Sequence, residues 1–559
     1  MNEKMKHSEA AAALPKPDVG GNYLADYVRL VESGQASLGL KRLLTTLTES
    51  CAQDWLDCSR ALVLRGDTQA AISVLSAAHN AHSEATDISI SLAGMYHQTN
   101  RQVDAEKLLR QLLTQHPAHT AGNLLLMHVL KATGAMRAVT ETAHTWFQHG
   151  RHDLAEITQV VELLDDCGRK EDAVTICESE IAAGSLDPRI HAYAATLLTQ
   201  LGQFELARQR YLFALAGNER ALEWNIATGL ATLQRYKDRR HPDFELFEAS
   251  LRRSDINEQT RASLLFALGK ACDDIEDYAG AARHFRKANI ICHSEINWSR
   301  KLWRRGIDAR ISRTSFSSRS AESPDWTPVF IVGMPRSGTT LLAELLSRYQ
   351  KVSNRGELTL MQQLEQRFAQ DDERKHGWSQ EAFAIYEKQL RSEDPSATWY
   401  IDKQPHNFMC VDLILAIFPN AKIIYCHRNA RDNTVSLWSQ YFLPGTQNFS
   451  YDFADIAAVL QGCKRLMTHW QRSYASSIRT VQYEQLVTNQ ASCISLLSSW
   501  LGMTGSNMPD ATASLPNRAK VISSASLWQA RQPVHTRSIE RWRHYAPYVP
   551  ELLRIPLNA

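Results

Sequence analysis

No two of the ten cysteines stand in a C-x-x-C pair, the spacing that a zinc knuckle or a redox dithiol needs. Ten in 559 residues is also too sparse for a disulfide framework. The thiols therefore read as free and buried, in a reducing compartment. No run approaches the roughly 18 apolar residues of a membrane span. The opening, MNEKMKHSEAAAALPKP, carries charge but lacks the apolar core of a signal peptide. A cytoplasmic protein without a membrane span is expected. Neither sign of charge dominates: 62 Lys and Arg face 60 Asp and Glu, for a net +2. Near-neutrality speaks against a dedicated nucleic-acid partner or a polybasic anchor. Twenty histidines form no H-E-x-x-H and no other metal spacing, and there is no G-x-S-x-G, so neither a bound metal nor that serine nucleophile is expected. What remains is an ordinary globular composition, 44% apolar and 22% charged. The length fits three to four units of about 150 residues unless repeats stretch one of them.

Repeats do occur. Ala71, Ala105, Val139, Ala173 and Ala207 recur at steps of 34 residues. A second column, four residues later, reads Leu75, Leu109, Ala143, Cys177 and Tyr211. A third, five residues earlier, reads Gly66, Asn100, Gly134, Gly168 and Gly202. Gly and Asn adopt positive φ most easily, so this column marks a helix-to-helix turn. Small residues in the first column let two helices approach, and the larger ones a turn later fill the groove. This period resembles the tetratricopeptide-repeat (TPR) family. A further match runs through Leu268, Gly269, Tyr278, Ala281, Phe285 and Ala288. Ala281 lies 74 residues after Ala207, six more than two repeats, so an irregular unit is expected around residues 220–260. Residues 22–50 read as a degenerate cap. The resemblance implies a surface for a protein or peptide; a purely structural or dimerising appendage, including a homodimer, stays open.

A Ser-rich stretch with two prolines, residues 312–328, ends the helical pattern. The division predicted is a repeat array over 22–310, a linker over 311–327 and an α/β domain over 328–559. In that domain short β-rich runs alternate with helices, implying a parallel sheet. Val329–Val332 reads as a buried strand leading into Gly333-Met334-Pro335-Arg336-Ser337-Gly338-Thr339-Thr340, with Leu341, Leu342, Leu345 and Leu346 at helical spacing. Strand, Gly-bounded loop and helix together cradle an anion on backbone N–H groups. Arg336 adds a charged fork, and Ser337, Thr339 and Thr340 add hydroxyls. A nucleotide P-loop carries Lys where Thr339 stands, so a kinase is the weaker reading.

Pro335-Arg336-Ser337-Gly338-Thr339-Thr340 after an apolar strand resembles the 5′-phosphosulfate loop of sulfotransferases. That family uses the donor PAPS, 3′-phosphoadenosine 5′-phosphosulfate. Arg428, at the end of the strand-like run 422–427, is followed eight residues on by Ser436, in a pattern similar to the family's 3′-phosphate motif. Ala430 stands where the family often has proline. Glu357 follows Arg336 by 21 residues in a Gly-Glu pair, where tyrosylprotein sulfotransferases carry their general base. Lys403, in Asp402-Lys403-Gln404-Pro405, resembles the lysine that stabilises the leaving phosphate. Tyr483 resembles a family tyrosine near the nucleotide. The segment from Val521 to Pro533 resembles a donor-binding segment of bacterial TPR-linked sulfotransferases, in which Ser526 and Arg531 are candidates, Ser524 competing with them for a role. The resemblance implies a TPR solenoid joined to a P-loop-like α/β domain with a central parallel sheet. It implies PAPS-dependent transfer of a sulfuryl group to a hydroxyl acceptor, with a peptidyl tyrosine gripped by the array as one candidate. An interaction protein whose domain binds the product adenosine 3′,5′-bisphosphate (PAP) without turnover is the alternative.

Overall fold

A computed structural model describes residues 21–150, 152–313, 316, 324–370, 378–391, 394–442, 445–503 and 535–557. Two compact units divide the chain, residues 2–167 and residues 168–559.

In the first unit antiparallel helix pairs follow one another from Gly21–Glu32 to Leu154–Asp166. Gly66, Asn100 and Gly134 take φ of +83°, +60° and +72°, the left-handed backbone that ends one helix and lets the chain reverse into the next. Asn tolerates this conformation, so Asn100 substitutes for glycine at little cost. Ala71, Ala105 and Val139 are fully buried where paired helices touch.

The second unit begins with more pairs. Gly168 and Gly202 make the same turns, and Ala173 and Ala207 are fully buried. The regular repeat then breaks into a 3₁₀ helix, Glu219–Trp224, and a short helix, Ile226–Thr232. Asn225 between them is left-handed, at φ +60°. Pro242 opens the helix Pro242–Leu251 with its fixed φ. A longer pair follows, Glu258–Asp274 and Tyr278–Ser294. They meet so closely at Gly269 that a Cβ there would lie 2.5 Å from the Phe285 ring.

The sheet has five parallel strands in the order β2-β3-β1-β4-β5, with β1 Thr327–Gly333, β2 Val352–Asn354, β3 Trp399–Asp402, β4 Lys422–His427 and β5 Ile478–Gln482. Both faces of the central strand are covered, which is why it reads as a continuous apolar run. Val329 and Ile331 pack with Leu342, Leu346, Ile424 and Leu497. Phe330 meets Tyr386 and Phe418 on the other side, with ring centroids 5.9 and 6.3 Å away. The later repeat helices join this body through specific polar contacts. Arg286 pairs with Glu551 at 2.7 Å, Arg541 with Asp273 at 2.8 Å, and Asn289 Nδ2 donates to the Trp438 carbonyl at 2.9 Å.

Candidate active site

In an open parallel sheet, ligands bind beyond the carboxyl ends of the strands, where the strand order switches direction. Here β1 is the switch strand, with β3 on one side and β4 on the other. Each strand delivers one candidate just past its end: Arg336 after β1, Glu357 after β2, Lys403 after β3, Arg428 after β4 and Tyr483 after β5. Across the sheet they run Glu357, Lys403, Arg336, Arg428, Tyr483.

The loop after β1 is shaped by close approach. A Cβ on Gly333 would lie 2.4 Å from the Cys426 carbonyl oxygen. A Cβ on Gly338 would lie 2.5 Å from the Tyr483 ring, and its φ is +99°. Only glycine fits these positions. Arg336 itself sits at φ +69°, a strained backbone for a non-glycine residue, of the kind that concentrates at functional sites. The helix Thr339–Leu346 follows, with Thr339 and Thr340 buried in its first turn. Asn433 Nδ2 ties the loop down from the helix Ala430–Trp438 by donating to the Pro335 carbonyl at 2.9 Å.

Arg336, Arg428 and Tyr483 form one contact set with Ser436. Arg336 Nε donates to Ser436 Oγ at 3.1 Å. Arg428 Nη1 donates to the Arg336 carbonyl at 2.9 Å, and its Nη2 to the Ser538 carbonyl at 2.7 Å. The Arg428 guanidinium lies 4.6 Å from the centre of the Tyr483 ring. Arg428 therefore buttresses the loop. Burial, with the charges of Arg428 and Arg541 adding to it, pushes Arg336 down to about 10. Burial also lowers Arg428. Two desolvated guanidinium groups held this close favour an anion that would offset both charges. Ser337 Oγ, Asn433 Oδ1 and Arg428 Nε are buried without a hydrogen-bond partner among the described residues. Such orphaned polar atoms fit a ligand rich in phosphate oxygens and hydroxyls.

The other pair is Glu357 and Lys403. The buried Lys403 Nζ donates to Glu357 Oε1. Backbone bonds hold the two segments in register: Arg355 N to the Ile401 carbonyl and Lys403 N to the Gly356 carbonyl, both at 2.8 Å. Asp402 reinforces this. It is fully enclosed and accepts from the Leu358 N–H at 3.4 Å, from Asn407 Nδ2 at 3.0 Å and from the Tyr386 hydroxyl. Burial pushes its carboxyl up to about 7, against the lowering effect of those donors.

Residues 328–507 match the family model described as "Sulfotransferase family", and residues 62–127 match a tetratricopeptide-repeat model. The chain thus combines helical repeats with a sulfotransferase domain. An uncharacterized protein of Aquifex aeolicus is 27% identical over 383 residues, covering 64% of this chain. The chain spans about half of that relative's length, 49%. Among solved structures, the sulfotransferase domain of the Synechococcus PCC 7002 olefin synthase is 17% identical with a TM-score of 0.31, over 41% of this chain and 91% of that one. The sulfotransferase STF9 of Mycobacterium avium is 15% identical with a TM-score of 0.23, over 55% of this chain and 87% of that one.

Ser524, Ser526 and Arg531 lie outside the described residues, as do most residues of the predicted 311–327 linker. Two sets of contacts at the site follow from no sequence motif. One is the Asp402 cluster, whose partner Tyr386 comes from the separate helix Trp378–Arg391. The other is Asp432, which accepts from the backbone N–H groups of Glu540 and Trp542 at 2.7 and 2.9 Å. These bonds fix the segment that offers the Ser538 carbonyl to Arg428.

Proposed function

We propose that this protein transfers a sulfuryl group from PAPS to a hydroxyl acceptor, a peptidyl tyrosine being the acceptor that Glu357 favours. The observation that carries this reading is the convergence of Arg336, Glu357, Lys403, Arg428 and Tyr483 at the five carboxyl strand ends around one glycine-shaped loop.

In this reading the loop N–H groups, Arg336 and the hydroxyls of Ser337, Thr339 and Thr340 hold the 5′-phosphosulfate. Arg428 and Ser436 hold the 3′-phosphate, and Tyr483 flanks the nucleotide. The donor supplies an activated sulfuryl group. Glu357 takes the proton from the acceptor hydroxyl while its oxygen forms the new bond to sulfur. The bond from sulfur to the 5′-phosphate oxygen breaks, and the charge left on that oxygen falls to Lys403 and the loop amides. Cationic side chains and amides can supply this stabilisation without water reorganising around the reacting atoms. Because Lys403 and Glu357 touch, the acceptor proton and the leaving oxygen are served from one pair. Ser526 and Arg531 complete the donor site by resemblance, and the repeats present the acceptor chain.

Glu357→Gln tests the division of labour. It is expected to lower kcat by about 10²- to 10⁴-fold, the usual contribution of a positioned base, while PAP binding changes little. A transfer assay with PAPS beside a calorimetric titration with PAP separates the two. Loss of PAP binding with kcat unchanged would overturn the assignment.

A further inference from the structure

A cavity of about 720 Å³ opens beside the loop. Arg336 and Ser436 form one wall. Further lining comes from the repeat helices of the same compact unit: Arg235 follows Ile226–Thr232, Lys270 and Asp274 lie on Glu258–Asp274, and Tyr278 opens the next helix. Among the described residues, Glu357 and Lys403 do not line it. The cavity therefore reaches the Ser436 end of Arg336, the side away from the proposed transfer chemistry.

The charges in the repeat wall are unevenly matched. Lys270 pairs with Asp274 at 2.5 Å and also donates to the Gln234 carbonyl. Arg541, which also lines the cavity, pairs with Asp273 at 2.8 Å. Arg235 is exposed and has no ion-pair partner among the described residues. A cation in that position is available to a ligand, and a phosphate is one of the groups that a guanidinium fork binds through two parallel hydrogen bonds.

We infer that the later repeat helices form part of the donor site, with Arg235 joining Arg428 and Ser436 in holding the 3′-phosphate of the nucleotide. This rests on the PAPS reading. It makes the array a component of nucleotide binding rather than only a surface for partners.

The test is calorimetric titration of the full chain with PAP and with adenosine 5′-monophosphate, which lacks the 3′-phosphate. Arg235→Ala is expected to weaken PAP by about tenfold, the value of one charge-assisted contact, and to leave the monophosphate unchanged. Arg235→Lys is expected to recover part of the loss. Arg235 is exposed, so its replacement leaves the core intact. Wild-type protein that fails to bind PAP would overturn the donor reading itself. Wild-type binding with Arg235→Ala unaffected would overturn the inference alone. Equal weakening of both nucleotides, or a change confined to acceptor KM, would overturn the 3′-phosphate assignment.

Discussion

Asp402 sits beside the proposed catalytic lysine yet cannot touch the reaction, because Tyr386, Asn407 and the Leu358 N–H occupy it. Its carboxyl is pushed up to about 7 in the folded protein, whereas an unfolded chain gives up this proton near pH ~3.9. Between those values the folded state holds a proton that the unfolded state has lost. The contribution is therefore fully present below the unfolded value and is lost as pH rises through the folded one. Asp402→Asn mimics the protonated form. Its Tm relative to wild type is expected to rise between about pH 4 and about pH 7 and to level off above, and a difference constant with pH would contradict the assignment. The residues flanking the Gly-bounded loop were legible in the sequence because chain neighbours carry them. Asp402 was not, since its role depends on a tyrosine from another helix. The Arg336–Ser436 bond also joins residues 100 positions apart. Only the strand register brings them together.

At the scale of the element, the glycine column was readable because a turn imposes positive φ wherever it recurs. The buried alanines were readable because close helix packing demands small side chains at a fixed period. Gly269 shows where such packing has no slack. Gly269→Ala gains about 1 kcal/mol of helix propensity but drives a methyl into the Phe285 ring, an overpacking that costs about 1–3 kcal/mol. A net loss of stability is expected in denaturant unfolding. Gly94, in the helix Thr86–Gln98, is the control: a methyl there would meet nothing within 4 Å, so Gly94→Ala is expected to stabilise by about 0.5–1 kcal/mol. The reverse order would contradict the packing account. The irregular stretch after Gly217 was visible only as a gap in the period. Its form follows from Asn225 and Pro242, a left-handed residue and a fixed helix start that no repeat pattern encodes.

At the scale of the whole molecule, sequence composition places the change of character at residues 312–328, after which the β-rich runs begin. The division into compact units falls at another point, between Cys167 and Gly168, within the repeats. The reason is the set of long-range contacts, Arg286 to Glu551 and Arg541 to Asp273 among them, that bind later repeat helices into the body holding the sheet. Such contacts leave no local trace in sequence. They give the repeats a wall of the cavity beside Ser436. On the proposed function, this body binds a 3′-phosphorylated sulfuryl donor and not a nucleoside triphosphate. Thermal unfolding of the full chain with PAP, and in parallel with Mg·ATP, tests it directly. A ligand at about 100 times its Kd adds roughly 2.7 kcal/mol to the native state. A clear rise in Tm with PAP and none with Mg·ATP is expected; a rise with Mg·ATP alone would contradict the proposed donor.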